Sequence, residues 1–248
     1  MRAQGYNTQG MDRYKAGDLP RALSYFEQAL VVARSIEDED AIAATRLNLA
    51  MVHLGMGQQD EGLKQLDLVM DERRLAFSAD RRAEAALRRA MAVQASDPAG
   101  AGQALDRAGV LCGNSCAVRG KVLNLKAWLA LNAGKPAEGL RFAQQAQGAL
   151  AKDDALEKAN ALRLQSSAHI ALKAPAAALP LLQEALKIDK AAGASGKIHQ
   201  DLLLLGQASA DQPALATDYQ TRARDVAMAA GNGAGSGKEP TSLSARLP

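Results

Sequence analysis

Aromatic side chains are scarce in this chain. They make up 3% of its 248 residues, with a single tryptophan, Trp128. That is well short of what a β-barrel or β-sandwich usually carries, and β-branched runs of strand length are absent. Cysteine and histidine are nearly absent too, at two and three residues. No spacing sets up a Ser–His–Asp or Cys–His pair. Charge of one sign is also lacking: the formal net charge is +3 and the pI is near 8.9. A phosphate-binding surface needs Lys and Arg clustered without nearby acids. The densest arginine region, Arg73, Arg74, Arg81, Arg82, Arg88 and Arg89, is interleaved with Asp71, Glu72, Asp80 and Glu84. It reads as a solvated, salt-bridged surface, and no nucleic-acid partner is expected. No apolar stretch approaches the ~20 residues that span a membrane. The N-terminus carries no apolar signal core. Met1 is therefore either a cytoplasmic start or the beginning of a chain from which a signal or lipid anchor has been removed.

What is present is alanine and leucine. The chain is 48% hydrophobic and 23% charged, and both of its commonest apolar residues are strong helix formers. A tight turn at Gly17-Asp18-Leu19-Pro20 separates a helical pattern ending at Tyr14 from another in which Ala22, Leu23, Phe26, Ala29 and Leu30 recur with helical periodicity. With Gly17 as marker, the same turn returns at Gly57, Ser96, Gly134, Lys173 and Asp211, at intervals of 40, 39, 38, 39 and 38 residues. Five residues past each marker stand Ala22, Gly62, Ala101, Gly139, Ala178 and Ala216. Seven further on stand Ala29, Val69, Ala108, Ala146, Ala185 and Ala223. Two columns of small residues on one helix face allow close helix approach. Pro20, Pro98, Pro136, Pro175 and Pro213 each fall two or three residues past a marker, where a missing N–H costs nothing and a fixed φ suits the first helical turn. Pro180 is the exception and should kink a helix or shift its start. The reading is all-α, with about six antiparallel helix pairs over residues 1–230. The Gly/Ser-rich segment 231–248 reads as a flexible tail.

This pattern resembles the tetratricopeptide repeat family. The matching residues are Tyr6, Gly10, Gly17, Asp18, Ala22, Tyr25, Phe26, Ala29 and Leu30 in the first repeat. Leu123, Ala127, Gly134, Gly139 and Ala146 match in the fourth, and Ala178, Leu182, Ala185 and Leu186 in the fifth. The usual repeat is about 34 residues, whereas these run 38 to 40, so longer helices are expected. The third and sixth repeats are degenerate. The resemblance implies a right-handed superhelical solenoid whose concave surface is lined by the first helix of each pair and binds an extended peptide or a partner helix. Carried over by position, the partner-binding candidates are Asn7, Met11, Asn48, Met51, Lys121, Asn124, Trp128, Asn160 and Arg163. Tyr14 and Ser167 stand beside them, with Ala86 and Ala90 in the third repeat. Asn both donates to and accepts from a peptide backbone, and Lys121 and Arg163 suit an acidic group or a C-terminal carboxylate. Trp128 reads either as a binding anchor or as a core filler. The family's carboxylate clamp is not matched, since only Asn48, Lys121 and Arg163 fall near it, and chaperone-tail binding is not expected.

The remaining polar features read as structure. His53 and His169 share one repeat position, which suggests packing or capping. The run Glu37-Asp38-Glu39-Asp40 lacks the glycine and spacing of a calcium loop and fits a helix start. Cys112 and Cys116 are too few for a zinc site. A disulfide closing the Gly-Asn-Ser turn between them would point to an oxidising compartment such as a bacterial periplasm. Two free thiols at a helix junction is the alternative. No catalytic residue, metal or cofactor is expected. The expected function is a non-catalytic scaffold or adaptor with a protein or peptide partner. A peptide-sensing regulator and a self-assembling component of a bacterial envelope complex stand as alternatives, and the oligomeric state is open.

Overall fold

The computed structural model describes residues 2–71, 77–113, 116–151 and 153–233. Arg73 and Arg74 of the arginine-rich region lie outside them. Among the described residues there are twelve helices and no strand. They divide into two compact units, with the chain boundary between Val118 and Arg119. The N-terminal unit holds α1 (Ala3–Lys15), α2 (Leu19–Ser35), α3 (Glu39–Gly55), α4 (Gln59–Met70), α5 (Ala79–Val93) and α6 (Pro98–Cys112). The C-terminal unit holds α7 (Arg119–Asn132), α8 (Pro136–Ala149), α9 (Ala155–Ala171), α10 (Pro175–Ala191), α11 (Ser195–Ala208) and α12 (Pro213–Gly233). Each is three helical hairpins. Within a unit every helix packs on the next in sequence, and each hairpin's first helix also packs on the following first helix: α1 on α3 and α3 on α5, then α7 on α9 and α9 on α11. Among the described residues no helix is long and apolar enough to cross a membrane.

The turns explain the period. Gly17, Gly57 and Gly134 adopt φ of 77°, 77° and 71°, a left-handed conformation that glycine reaches without steric cost. Lys173 takes the same role with φ 62°. These four turns close with the same bond. The amide after the marker donates to a carbonyl in the last turn of the first helix, as in Asp18 N to Arg13 O at 2.9 Å and Lys135 N to Ala130 O at 2.9 Å. The second helix then begins at the expected proline in five of six hairpins: Pro20 is the second residue of α2, and Pro98, Pro136, Pro175 and Pro213 open α6, α8, α10 and α12. Aspartates cap several starts. Asp97 Oδ1 accepts from Gly100 N at 2.8 Å, and Asp38 Oδ1 from Ala41 N at 3.0 Å. The acidic run around Asp38 is thus the start of α3. Pro180 sits on the exposed side of α10 without ending it. So close to the helix start, it removes a single intrahelical donor.

The core lies between hairpins. Ala29, Val69, Ala108, Ala146, Ala185 and Ala223 are all buried, so the small-residue column forms the seam where second helices meet their neighbours. Phe26, Leu47, Leu66, Leu105, Leu125, Leu182, Leu202 and Leu205 are the large side chains fully withdrawn from water, each contributing about 1.5–3 kcal/mol. Several helices reach 17 residues, as in α2, α3, α9 and α10, which accommodates part of the extra repeat length. Helix α12 continues to Gly233, taking in the first three residues of the expected tail. Residues 234–248 lie outside the described residues.

Candidate interaction face on the first helices

The stacked first helices are joined by a row of polar side chains that bond sideways. In the N-terminal unit, Asn7 Nδ2 on α1 donates to Thr45 Oγ1 on α3 at 2.8 Å, and Asn48 Nδ2 returns a bond to Asn7 Oδ1 at 3.1 Å. Arg88 on α5 donates from Nη1 to the Leu47 carbonyl at 3.0 Å and from Nη2 to Glu84 Oε1 at 2.6 Å. At the helix starts, Arg81 meets Asp40 in a two-pronged pair at 2.9 and 3.1 Å. Those hydrogen bonds hold the Asp40 carboxyl below its usual range. In the C-terminal unit, Asn124 on α7 donates to the Glu157 carbonyl and to its Oε2 at 3.1 and 3.0 Å. Lys121 stands 3.6 Å from Asp154. Arg163 on α9 donates to Asp201 Oδ1 on α11 at 2.7 Å and also to Asp189 Oδ2 on α10.

This placement divides the sequence candidates. Asn124, Asn160 and Arg163 are 1%, 7% and 3% exposed. Asn124 Nδ2, Asn160 Oδ1 and the Arg163 guanidinium are held in bonds within the fold, and the burial of all three leaves no open face there. The reason is distance along the chain: the acids that claim Arg163 lie 26 and 38 residues away, where single-helix periodicity does not reach. Ala86 and Ala90 are likewise fully buried and face packing instead of a groove. Trp128 is half-buried and packs with Leu131, Phe142 and Leu164, with Arg141 4.5 Å from the centre of the Phe142 ring. Lys121 is half-exposed at the start of α7.

Asn7, Met11, Asn48 and Met51 are half-exposed. So is Met91, which the sequence reading missed although it repeats the interval that separates Met11 from Met51. The three methionines recur at 40-residue intervals on α1, α3 and α5, and Tyr14 packs with Met11 against the same core cluster, its hydroxyl pushed up by burial while Arg88 opposes the shift. This face presents flexible, polarisable side chains next to the Asn7–Asn48 pair. Two depressions lie elsewhere in the same unit. One of about 310 Å³ is lined by Asp40, Ser78, Arg81, Glu84, Cys116 and Val118. A shallower one of about 710 Å³ runs along α4 beside Arg107.

Other sequence features have local roles. His53 Nδ1 is 2.7 Å from Gln58 Oε1 across the second turn, and His199 Nδ1 donates to the Ala223 carbonyl at 2.9 Å. Cys112 and Cys116 face each other with Cα atoms 4.8 Å apart, inside the span of a disulfide. Both are buried against Ala83. Among the described residues, no group of three or more His, Cys, Asp or Glu side chains is arranged to hold a metal.

Residues 1–71 match the family model of the tetratricopeptide repeat. Among curated proteins, none matches this sequence. Solved structures share the fold. The Cut9–Hcn1 hetero-tetramer of the APC/C is similar at a TM-score of 0.63 and 17% identity, covering 90% of this chain and 42% of that one. A Podosopora anserina protein of kinesin-light-chain type with nearly identical TPR-like repeats is similar at 0.56 and 16%, covering 75% of this chain and 94% of that one. MamA is similar at 0.50 and 16%, covering 76% and 92%. The chain is thus an all-helical repeat protein, similar to tetratricopeptide-repeat proteins in fold over up to 90% of its length and in sequence over its first 71 residues.

Proposed function

We propose that the chain is a non-catalytic interaction scaffold, and that its partner, a peptide or helix of another protein, docks on the first helices of the N-terminal unit. The observation that carries this reading is the recurrence of Met11, Met51 and Met91, half-exposed on three consecutive first helices beside Asn7 and Asn48. Methionine adapts to irregular apolar surfaces at little cost, and the free capacity of the Asn pair suits a backbone or polar side chain. The corresponding row of the C-terminal unit is buried at Asn124 and Arg163, whereas Asn7 and Asn48 are half-exposed, which favours the N-terminal unit as the partner face.

The test is a pulldown from the source organism's lysate with three baits: wild type, Met51→Lys/Met91→Lys, and Val110→Lys. Val110 is 84% exposed on α6, away from the face. The expected partner is captured by wild type and by Val110→Lys and lost by the folded double variant. Equal capture by all three would move the site off the first helices and overturn the assignment.

A further inference from the structure

Arg163, Asp189 and Asp201 form a charged trio withdrawn from water, with the two aspartates 1% and 0% exposed. Arg163 satisfies one oxygen of each carboxyl, Asp201 Oδ1 through Nε and Asp189 Oδ2 through Nη2. The other two oxygens, Asp189 Oδ1 and Asp201 Oδ2, have no donor, and accepting from adjacent nitrogens of one guanidinium sets the two carboxyl groups side by side. Buried acceptors without a donor are expensive, and two buried carboxyl groups bond to one guanidinium. One proton on the pair eases both faults. It supplies a donor where none is present, and it lowers the negative charge set against Arg163 and the neighbouring Lys197.

We propose that Asp189 and Asp201 hold one proton between them at neutral pH, so that the attachment of the last hairpin to α9 and α10 depends on a buried carboxyl–carboxylate pair.

The surroundings agree from every packed element. From α9 come Arg163 and Glu157, and from α10 comes Asp189. Lys197 lies on α11 itself, one turn before Asp201. The charges of α12 are Asp218 paired to Arg222 at 3.2 Å, together with the exposed Arg224 and Asp225. Burial raises the Asp201 carboxyl to about 7, with Arg163 opposing and Asp189 reinforcing the shift. Burial and Arg163 lower Lys197 to about 8. It keeps its charge through neutral pH and titrates above the carboxyl pair.

The sign follows from linkage. A carboxyl raised on folding stabilises fully below its unfolded value, and that contribution is lost as pH rises through about 7. Two measurements on the full chain test the proposal. In the first, aspartate is labelled with ¹³C at the carboxyl carbon, and NMR titration is assigned with Asp189→Asn and Asp201→Asn. One carbon of the pair is expected to titrate with a midpoint near 7. Midpoints for both in the ordinary range near 4 would overturn the shared proton. In the second, urea midpoints are read by Trp128 fluorescence between pH 5 and 7.5. Wild type is expected to weaken as pH rises. Asp201→Asn, whose amide donates permanently where the proton did, is expected to lose that dependence. A wild-type midpoint flat across this window would overturn the link to hairpin attachment. Should the variants fail to fold, the wild-type titration and midpoint series decide by themselves.

Discussion

Replacing Arg163 with methionine removes a cation bonded to two buried carboxyl groups. The side chain is 4% exposed and its partners 1% and 0%, so water does not take over when the guanidinium leaves. Methionine keeps most of the length and volume, which confines the effect to charge and hydrogen bonding. Removing one partner of a buried ion pair costs about 3–5 kcal/mol, and here one deletion orphans two acids, placing Arg163→Met at the upper end. The contrast is Arg81→Met. Asp40 is 69% exposed in its pair with Arg81, and an exposed pair is worth about 0–1 kcal/mol. Trp128, the only tryptophan, lies in α7, so its fluorescence reports the C-terminal unit within the full chain. Urea unfolding followed by that signal should show a large midpoint drop for Arg163→Met. Most of it should return when Asp189→Asn and Asp201→Asn are added, because removing the whole network leaves no uncompensated charge. A loss under about 1 kcal/mol for Arg163→Met would refute the reasoning, since the trio would then have to be solvated.

Two further outcomes follow from the packing. A Cβ at Gly10 would lie 2.6 Å from Phe26 Cε1, whereas one at Gly102 would meet nothing within 4 Å. Gly10→Ala should therefore cost about 1–3 kcal/mol through overpacking, and Gly102→Ala should stabilise α6 by roughly 0.5–1 kcal/mol. Hydrogen exchange of the α1–α2 and α6 amides checks both, and equal effects of the same sign would contradict the packing. Cys112 and Cys116, 4.8 Å apart at Cα, should resist alkylation until a reductant is added when the protein comes from an oxidising compartment. Intact mass reads this directly, and two thiols labelled without reductant would exclude the bond.

The residues alone determined the features that depend on neighbours in sequence. A turn needing φ near +77° at Gly17 and Gly57, a proline two or three residues later, and small residues at fixed offsets all act within one hairpin. Their period therefore announced six helix pairs and the seam at Ala29, Ala108 and Ala185 before any packing was known. The half-exposed methionines belong to the same order: Met11 and Met51 were legible from position, and Met91 was available from the interval between them. Only the tertiary structure decided which polar residues remain open. Asn48 and Arg163 look alike in sequence, each polar and each on a first helix. What separates them is whether a later helix brings an acid alongside. Asp189 arrives on α10 and Asp201 on α11, 26 and 38 residues from Arg163, and their convergence depends on the stacking of whole hairpins. Burial and pairing of charge are properties of that stacking, so the protonated carboxyl pair emerged only once the helices were assembled.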